Sequence, residues 1–254
     1  MALRTSNPVL RPNVFQNLPA TAGEPMTVNG TIARAGILLV LMLITGFWTW
    51  SHFMTAVASG GIVAGLQTMQ PFMWGGMIVG LVLAMASAFK PNWTPVTAPL
   101  YALAEGTFLG AISAVFEVQY HGIVLEAILA SVGVLAVMLL FYRSGIIKVT
   151  QKFRMGVLAA TGGIFLLYLV AWGVSAFTHY NMGFVYGAGT LGLVLSVVFV
   201  CVAALNLVLD FDMIEQGTAQ GAPKYMEWYC AFGLMVTLVW LYIQLLQLLM
   251  SSRR

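Results

Sequence analysis

Charge is what this sequence has least of. Only 7% of its 254 residues are charged, where a soluble domain carries about 25%. So few charges cannot cover a water-facing surface, which excludes an ordinary soluble globule. Cysteine is scarce too. Cys201 and Cys230 fall in apolar runs at different depths and suggest no disulfide framework. The net charge of +3 is too small to argue for a nucleic-acid partner. HExxH, GxSxG and P-loop motifs are missing, so zinc hydrolysis, serine hydrolysis and nucleotide binding have no support, and the chain reads as a non-enzyme. Residues 1–30 contain no short apolar core with a small-residue cleavage site, so no secretory leader is expected.

What is present is apolar: 60% of residues are hydrophobic, in repeated runs of about twenty. That pattern predicts an all-α, polytopic membrane protein. The 26 glycines agree, because small residues let membrane helices approach closely. The runs lack the alternation that a membrane β-barrel needs. Seven spans are expected, near residues 33–57, 72–89, 98–116, 122–142, 155–177, 187–214 and 227–250. The first ends in the interfacial cluster FWTWSHF and the second stops at KPNW. Residues 1–30 are polar and read as a disordered cytoplasmic tail, leaving 31–254 as the transmembrane domain.

Loop charges set the orientation. With the N-terminus inside, Arg4, Arg11, Arg34, Lys90, Arg143, Lys148, Lys152, Arg154 and Lys224 are all inside, and only Arg253 and Arg254 fall outside. Nine against two is the bias of the positive-inside rule. A six-span alternative folds the last segment back and brings those two arginines inside. No internal repeat supports an inverted-repeat transporter.

Four acids then share one depth on the cytoplasmic side. Glu105, in YALAEGTFLG, lies about two turns into the third span. Asp210 and Asp212 close the sixth span in ALNLVLDFDMIEQG, and Glu227 opens the seventh in PKYMEWY. Counting outward from Thr218 and Ala219, at the middle of the turn EQGTAQGAPK, puts Asp210 and Glu227 at equal distance. Asp212 faces elsewhere, because residues two apart differ by about 200° on a helix. An acid within a span is costly and tends to face the bundle interior. Two carboxylates in contact share a proton or a cation, and hard oxygen ligands suit Ca²⁺. The alternative is a solvated helix end, or pairing of Asp210 with Arg34, Lys90 or Arg143.

His52, His121 and His179 fall towards the outer side, where loop roles outrank a metal site with Glu117 or Glu126. Two membrane aspartates also suit an intramembrane protease, yet only the sixth span carries Asp and no GxGD follows.

ALNLVLDFDMIEQG, the following GAPKYMEWYCAFGLMVTLVWLYIQLLQLL, the AEGTFLG stretch and the TSNPVL start together resemble the Bax inhibitor-1 (transmembrane Bax inhibitor motif) family, in its longer bacterial branch. The resemblance covers all seven spans. It implies a last helix that is central and wrapped by six others. It also implies a pH-sensitive Ca²⁺ leak of the bacterial inner membrane, gated by an acidic pair between the sixth and seventh helices. Asp210 matches the first acid. For the second, aligning YMEW on the family's YLDF selects Glu227, and aligning WLYIQ on LYLD selects Gln244; the hairpin count favours Glu227. Asp210 and Glu227 are then the Ca²⁺ ligands, with Glu105 and Asp212 along the pathway. No cofactor is implied beyond the transported ion. The competing class is a non-conducting factor that binds a membrane protease or another membrane protein.

Overall fold

The structure, a computed structural model, describes residues 24–178 and 189–253. They form six helices: α1 (Val28–Phe89), α2 (Thr94–Gln119), α3 (Ile123–Arg143), α4 (Gln151–Thr178), α5 (Gly189–Ala219) and α6 (Met226–Ser252), with one 3-10 turn at Pro91–Trp93. Each helix is long and apolar enough to cross a membrane. The predicted spans from the third to the seventh match α2 to α6 to within a few residues.

The chain forms two compact units. One takes in the chain up to Ala114 together with Met213–Met235, and the other comprises Val115–Asp212 and Val236–Arg254.

In the first unit, α1 is unlike a single crossing. Its 62 residues would measure about 93 Å at ~1.5 Å each, three times a hydrocarbon core of ~30 Å. The helix is broken at Gly61, whose φ of 78° is left-handed. There the chain doubles back. The rings of Trp48 and His52 lie 5.5 and 5.9 Å from that of Phe72, a residue about 36 Å away from Trp48 on a straight helix. The element is a helical hairpin, and the stretch between the first two predicted spans is helical on either side of its elbow.

Both arms pack on α2 through glycines. Gly110 sits so close to Gly46 that an added Cβ would lie 2.8 Å from the Gly46 Cα. On the other arm, a Cβ on Gly76 would lie 2.8 Å from the Ala104 carbonyl oxygen. Such small-residue contacts bring membrane helices together. The buried Ser87 and Thr97 hydroxyls are 2.7 Å apart, adding a polar link between α1 and α2.

In the second unit, Ile164, Phe199 and Val202 form a buried cluster with Tyr168 and Trp240 packed against it. Polar side chains join α4 to its neighbours: Asn206 Nδ2 donates to Thr161 Oγ1 at 2.8 Å, and Tyr168 bonds Gln244 and Gln247. At one end, Glu117 accepts from the Gly122 and Val124 amides, which closes the α2–α3 turn. Arg253 donates to the His121 carbonyl and pairs with Glu126 at 2.6 Å.

The apolar window is 39, 44 and 39% buried in α2, α5 and α6, against 17% in α1, α3 and α4. The less buried helices carry exposed Phe47, Trp172 and Phe177, as lipid-facing surfaces do.

Candidate functional site

The turn between the last two helices decides where their acids point. The sequence centres it on Thr218 and Ala219, but α5 continues through Ala219 and only residues 220–225 are left to turn. Gly217 is a buried helical residue, and the left-handed residue is Gly221, with φ 65°. The amides of Gln220 and Ala222 bond back to the Gln216 and Gly217 carbonyls and close the helix. The turn is therefore shorter and about four residues later than polarity alone indicates. Counting from its true centre, the distance back to Asp210 carried forward reaches residue 235, about half a turn short of Thr237.

Asp210 meets Thr237, whose hydroxyl donates to the Asp210 carboxylate. The other oxygen, Oδ2, is buried and accepts no hydrogen bond among the described residues. Asn206, one turn earlier on the same face of α5, makes the bond to Thr161. Two residues on, Asp212 forms an ion pair with Arg154 at the start of α4, at 2.5 Å. The expected divergence of the two aspartates is thus seen in their partners.

Glu227 is fully buried. Its Oε1 accepts from Thr27 N at 2.9 Å and Thr27 Oγ1 at 3.1 Å, and its Oε2 lies 2.6 Å from Arg34 Nη1. The same guanidinium lies over the Trp228 ring at 5.5 Å and donates to the Gly30 carbonyl. Arg34, considered from sequence as a partner for Asp210, serves Glu227. Lys90 lies 4.3 Å from the centre of the Trp93 ring, and Arg143 is the exposed last residue of α3.

Glu105 is half-buried on α2 and occupies the hollow above Gly80, where a Cβ would lie 2.8 Å from its Oε2. Gln244 is buried and hydrogen-bonded to Tyr168 at 3.3 Å. Among the described residues no three His, Cys, Asp or Glu side chains gather as a metal site. Glu117 and Glu126 are occupied at the α2–α3 turn, as above; His179 lies outside the described residues.

The Bax inhibitor 1 like family model matches residues 7–254. The chain belongs to the Bax inhibitor 1 like family. It is a multi-pass membrane protein of that family, in a lipid bilayer environment. No curated protein and no solved structure matches it.

Sequence reasoning missed Thr27, Thr237 and Arg154 as partners of the acids. Arg154 had a signal, since it and Asp212 close facing ends of the fifth and sixth predicted spans. Thr27 and Thr237 had none, because neutral hydroxyls are common and nothing in their spacing marks them.

Proposed function

We propose that this protein is a pH-sensitive cation leak of a bacterial inner membrane, with the N-terminus cytoplasmic, Ca²⁺ the principal cargo, and the acids of α5 and α6 as its gate. The α1 hairpin counts as two crossings, which makes seven. Asp210 carries the reading. Its Oδ2 is buried in one of the most apolar helices and receives no donor among the described residues. A buried carboxylate oxygen left so is costly unless a proton or a cation takes the place of the missing donor. Exchange between proton and cation at that oxygen would couple flux to pH. On this reading Glu105 belongs to the cytoplasmic end of the path. No three-acid cage is needed, because a leak must release its ion as readily as it takes it.

The test is Ca²⁺ flux into liposomes holding the purified protein. Flux is expected to depend on pH between about 6 and 8, and Asp210→Asn to remove most of that dependence. An Asp210→Asn curve that overlays the wild type would remove Asp210 from the gate.

One observation favours the second reading, a non-conducting factor that binds another membrane protein. Glu227 and Asp212 are each already matched by an arginine, as in a static scaffold. Such a protein would pass no ion at any pH and would co-purify with its partner from native membranes.

A further inference from the structure

The residues ahead of α1 do more than lead into the membrane. Pro25 makes an antiparallel bridge with Pro223, and the Met26 amide donates to the Ala222 carbonyl at 2.7 Å. The Met26 side chain is 1% exposed and sits in a socket of Ile214, Ala222, Met226 and Cys230. Thr27 follows, with its amide and hydroxyl both on Glu227. Arg34 reaches the same carboxylate from two turns into α1. Gly30 leaves the room for it: a Cβ there would lie 2.7 Å from the Glu227 Oε2, and closer still to the rest of the carboxylate. Outside this core, Lys224 pairs with Glu24 at 2.8 Å.

These are the parts of an extended-peptide site. A backbone carbonyl pairs with the incoming strand, an apolar socket takes one side chain, and a buried acid takes the next amide and hydroxyl. A helix that only needed anchoring in lipid would require none of them. The acid is the telling part, because a carboxylate is buried only at a cost that its donors must offset.

We propose that the 220–225 turn and the first residues of α6 form a peptide-docking site for this chain's own residues 24–27, with Glu227 as its clasp. The bound segment is a strap, and it comes away when the clasp is opened. Its seat is built from the socket and the acid together. This inference does not depend on ion conduction.

The strap is tested by thiol labelling of the full-length protein in vesicles. Cys201→Ser and Cys230→Ala provide the background, with a reporter at Met26→Cys and a control at Glu24→Cys. A hydrophilic maleimide is expected to label the control quickly and the reporter slowly. Arg34→Gln or Glu227→Gln is expected to speed labelling of the reporter about tenfold or more, as loss of a charge-assisted hydrogen bond implies, and to leave the control unchanged. A reporter that labels as fast as the control with the clasp intact overturns the proposal. So does one that stays shielded in both clasp variants. If those variants fail to fold, Thr27→Val carries the test. A rise in labelling that Thr27→Ser reverses supports the strap, and no rise overturns it. Labelling is read without flux, so a strap that opens in a protein passing no ion upholds this proposal and removes the leak.

Discussion

Arg34 Nη1 stands 2.6 Å from Glu227 Oε2, with the acid side chain fully buried and the arginine side chain 21% exposed. The pair is asymmetric. Arg34 retains some water and the face of Trp228 if its partner is lost, whereas Glu227 has only the strap. Breaking a buried pair from one side strands a charge, at about 3–5 kcal/mol. Arg34→Met is therefore expected to lower the unfolding midpoint in detergent more than Glu227→Gln does. The double variant is expected to be less damaging than the sum of the two. Additive effects in a double-mutant cycle would show that the two groups do not depend on each other.

Glycines separate two kinds of backbone demand. At Gly110 the demand is closeness, since a Cβ would press on the Gly46 backbone. Gly110→Ala is expected to cost about 1–3 kcal/mol through overpacking. At Gly61 nothing lies within 4 Å and the demand is conformational, at φ 78°. Gly61→Ala is expected to cost about 1–3 kcal/mol, because its positive φ with an extended ψ suits glycine alone. Gly36 is open and helical, so Gly36→Ala is expected to be neutral or slightly stabilising. Thermal melts of the three variants check the order. A Gly36→Ala variant as impaired as Gly110→Ala would remove the packing argument.

The helices were legible because the apolar runs are long and lipid leaves the backbone little choice but to bond to itself. The bend at Gly61 was half legible: the weakly apolar stretch around it marked a break between spans but not that helix continues on both sides. The end of α5 was misplaced because GTAQG looks like a turn. A buried Gly217 is tolerated in a helix whose other residues hold it, and only Gly221 adopts the left-handed backbone. That slip of about four residues changed the expected partner of Asp210. The acids themselves stood out, since any charge in so apolar a chain does. Their partners did not, because a hydroxyl carries no such signal.

The Glu24–Lys224 pair predicts where pH will not act. The hydrogen bond from Lys224, and then its charge, hold the Glu24 carboxyl below its ordinary 4.5. The same bond first, opposed by slight desolvation, raises Lys224 above 10.5. A lowered acid contributes above its unfolded value, and that contribution disappears as pH falls through its folded value, here under 4.5. A raised lysine contributes below 10.5 and loses that contribution as pH rises past its folded value. Between these limits the pair is constant. Lys224→Gln is expected to leave any pH dependence of flux between about 6 and 8 unchanged. Its small effect on Met26→Cys labelling is expected to fade in high salt, as for any exposed ion pair. A flux–pH curve displaced by Lys224→Gln would contradict this.

Glu105 gives a test of water access. Its carboxylate fills the hollow that Gly80 leaves, half-buried on a helix whose other inward residues are mostly Ala, Gly, Ser and Thr. As the cytoplasmic end of a path it is wet, and as a structural acid it is dry. Glu105→Cys, with Cys201 and Cys230 replaced, is expected to react with a hydrophilic thiol reagent from the cytoplasmic side. Gly80→Ala is expected to slow that reaction by crowding the hollow. No reaction from either side would make Glu105 a packing residue.

The two ends of α6 predict the topology without any counting of spans. The helix has 27 residues, about 40 Å at ~1.5 Å each, against a hydrocarbon core of ~30 Å. Its ends therefore emerge on opposite faces of the membrane. The strap of residues 24–27 is docked at its start, where Met26 bonds Ala222 and Thr27 bonds Glu227. Arg253, at its end, bonds the His121 carbonyl and Glu126 at the α2–α3 turn. The strap thus docks beside the α5–α6 turn, and Arg253 docks beside the α2–α3 turn. On the seven-crossing reading proposed above, the doubled α1 supplies two of the crossings. The proposed orientation has the strap cytoplasmic, as the positive-inside count of the sequence suggests. In sealed vesicles of known orientation, Glu24→Cys is expected to label from the cytoplasmic side and Ser252→Cys from the opposite side, each in a background without Cys201 and Cys230. Labelling of both from one side would mean that α6 does not span, and the seven-crossing reading would fall with it.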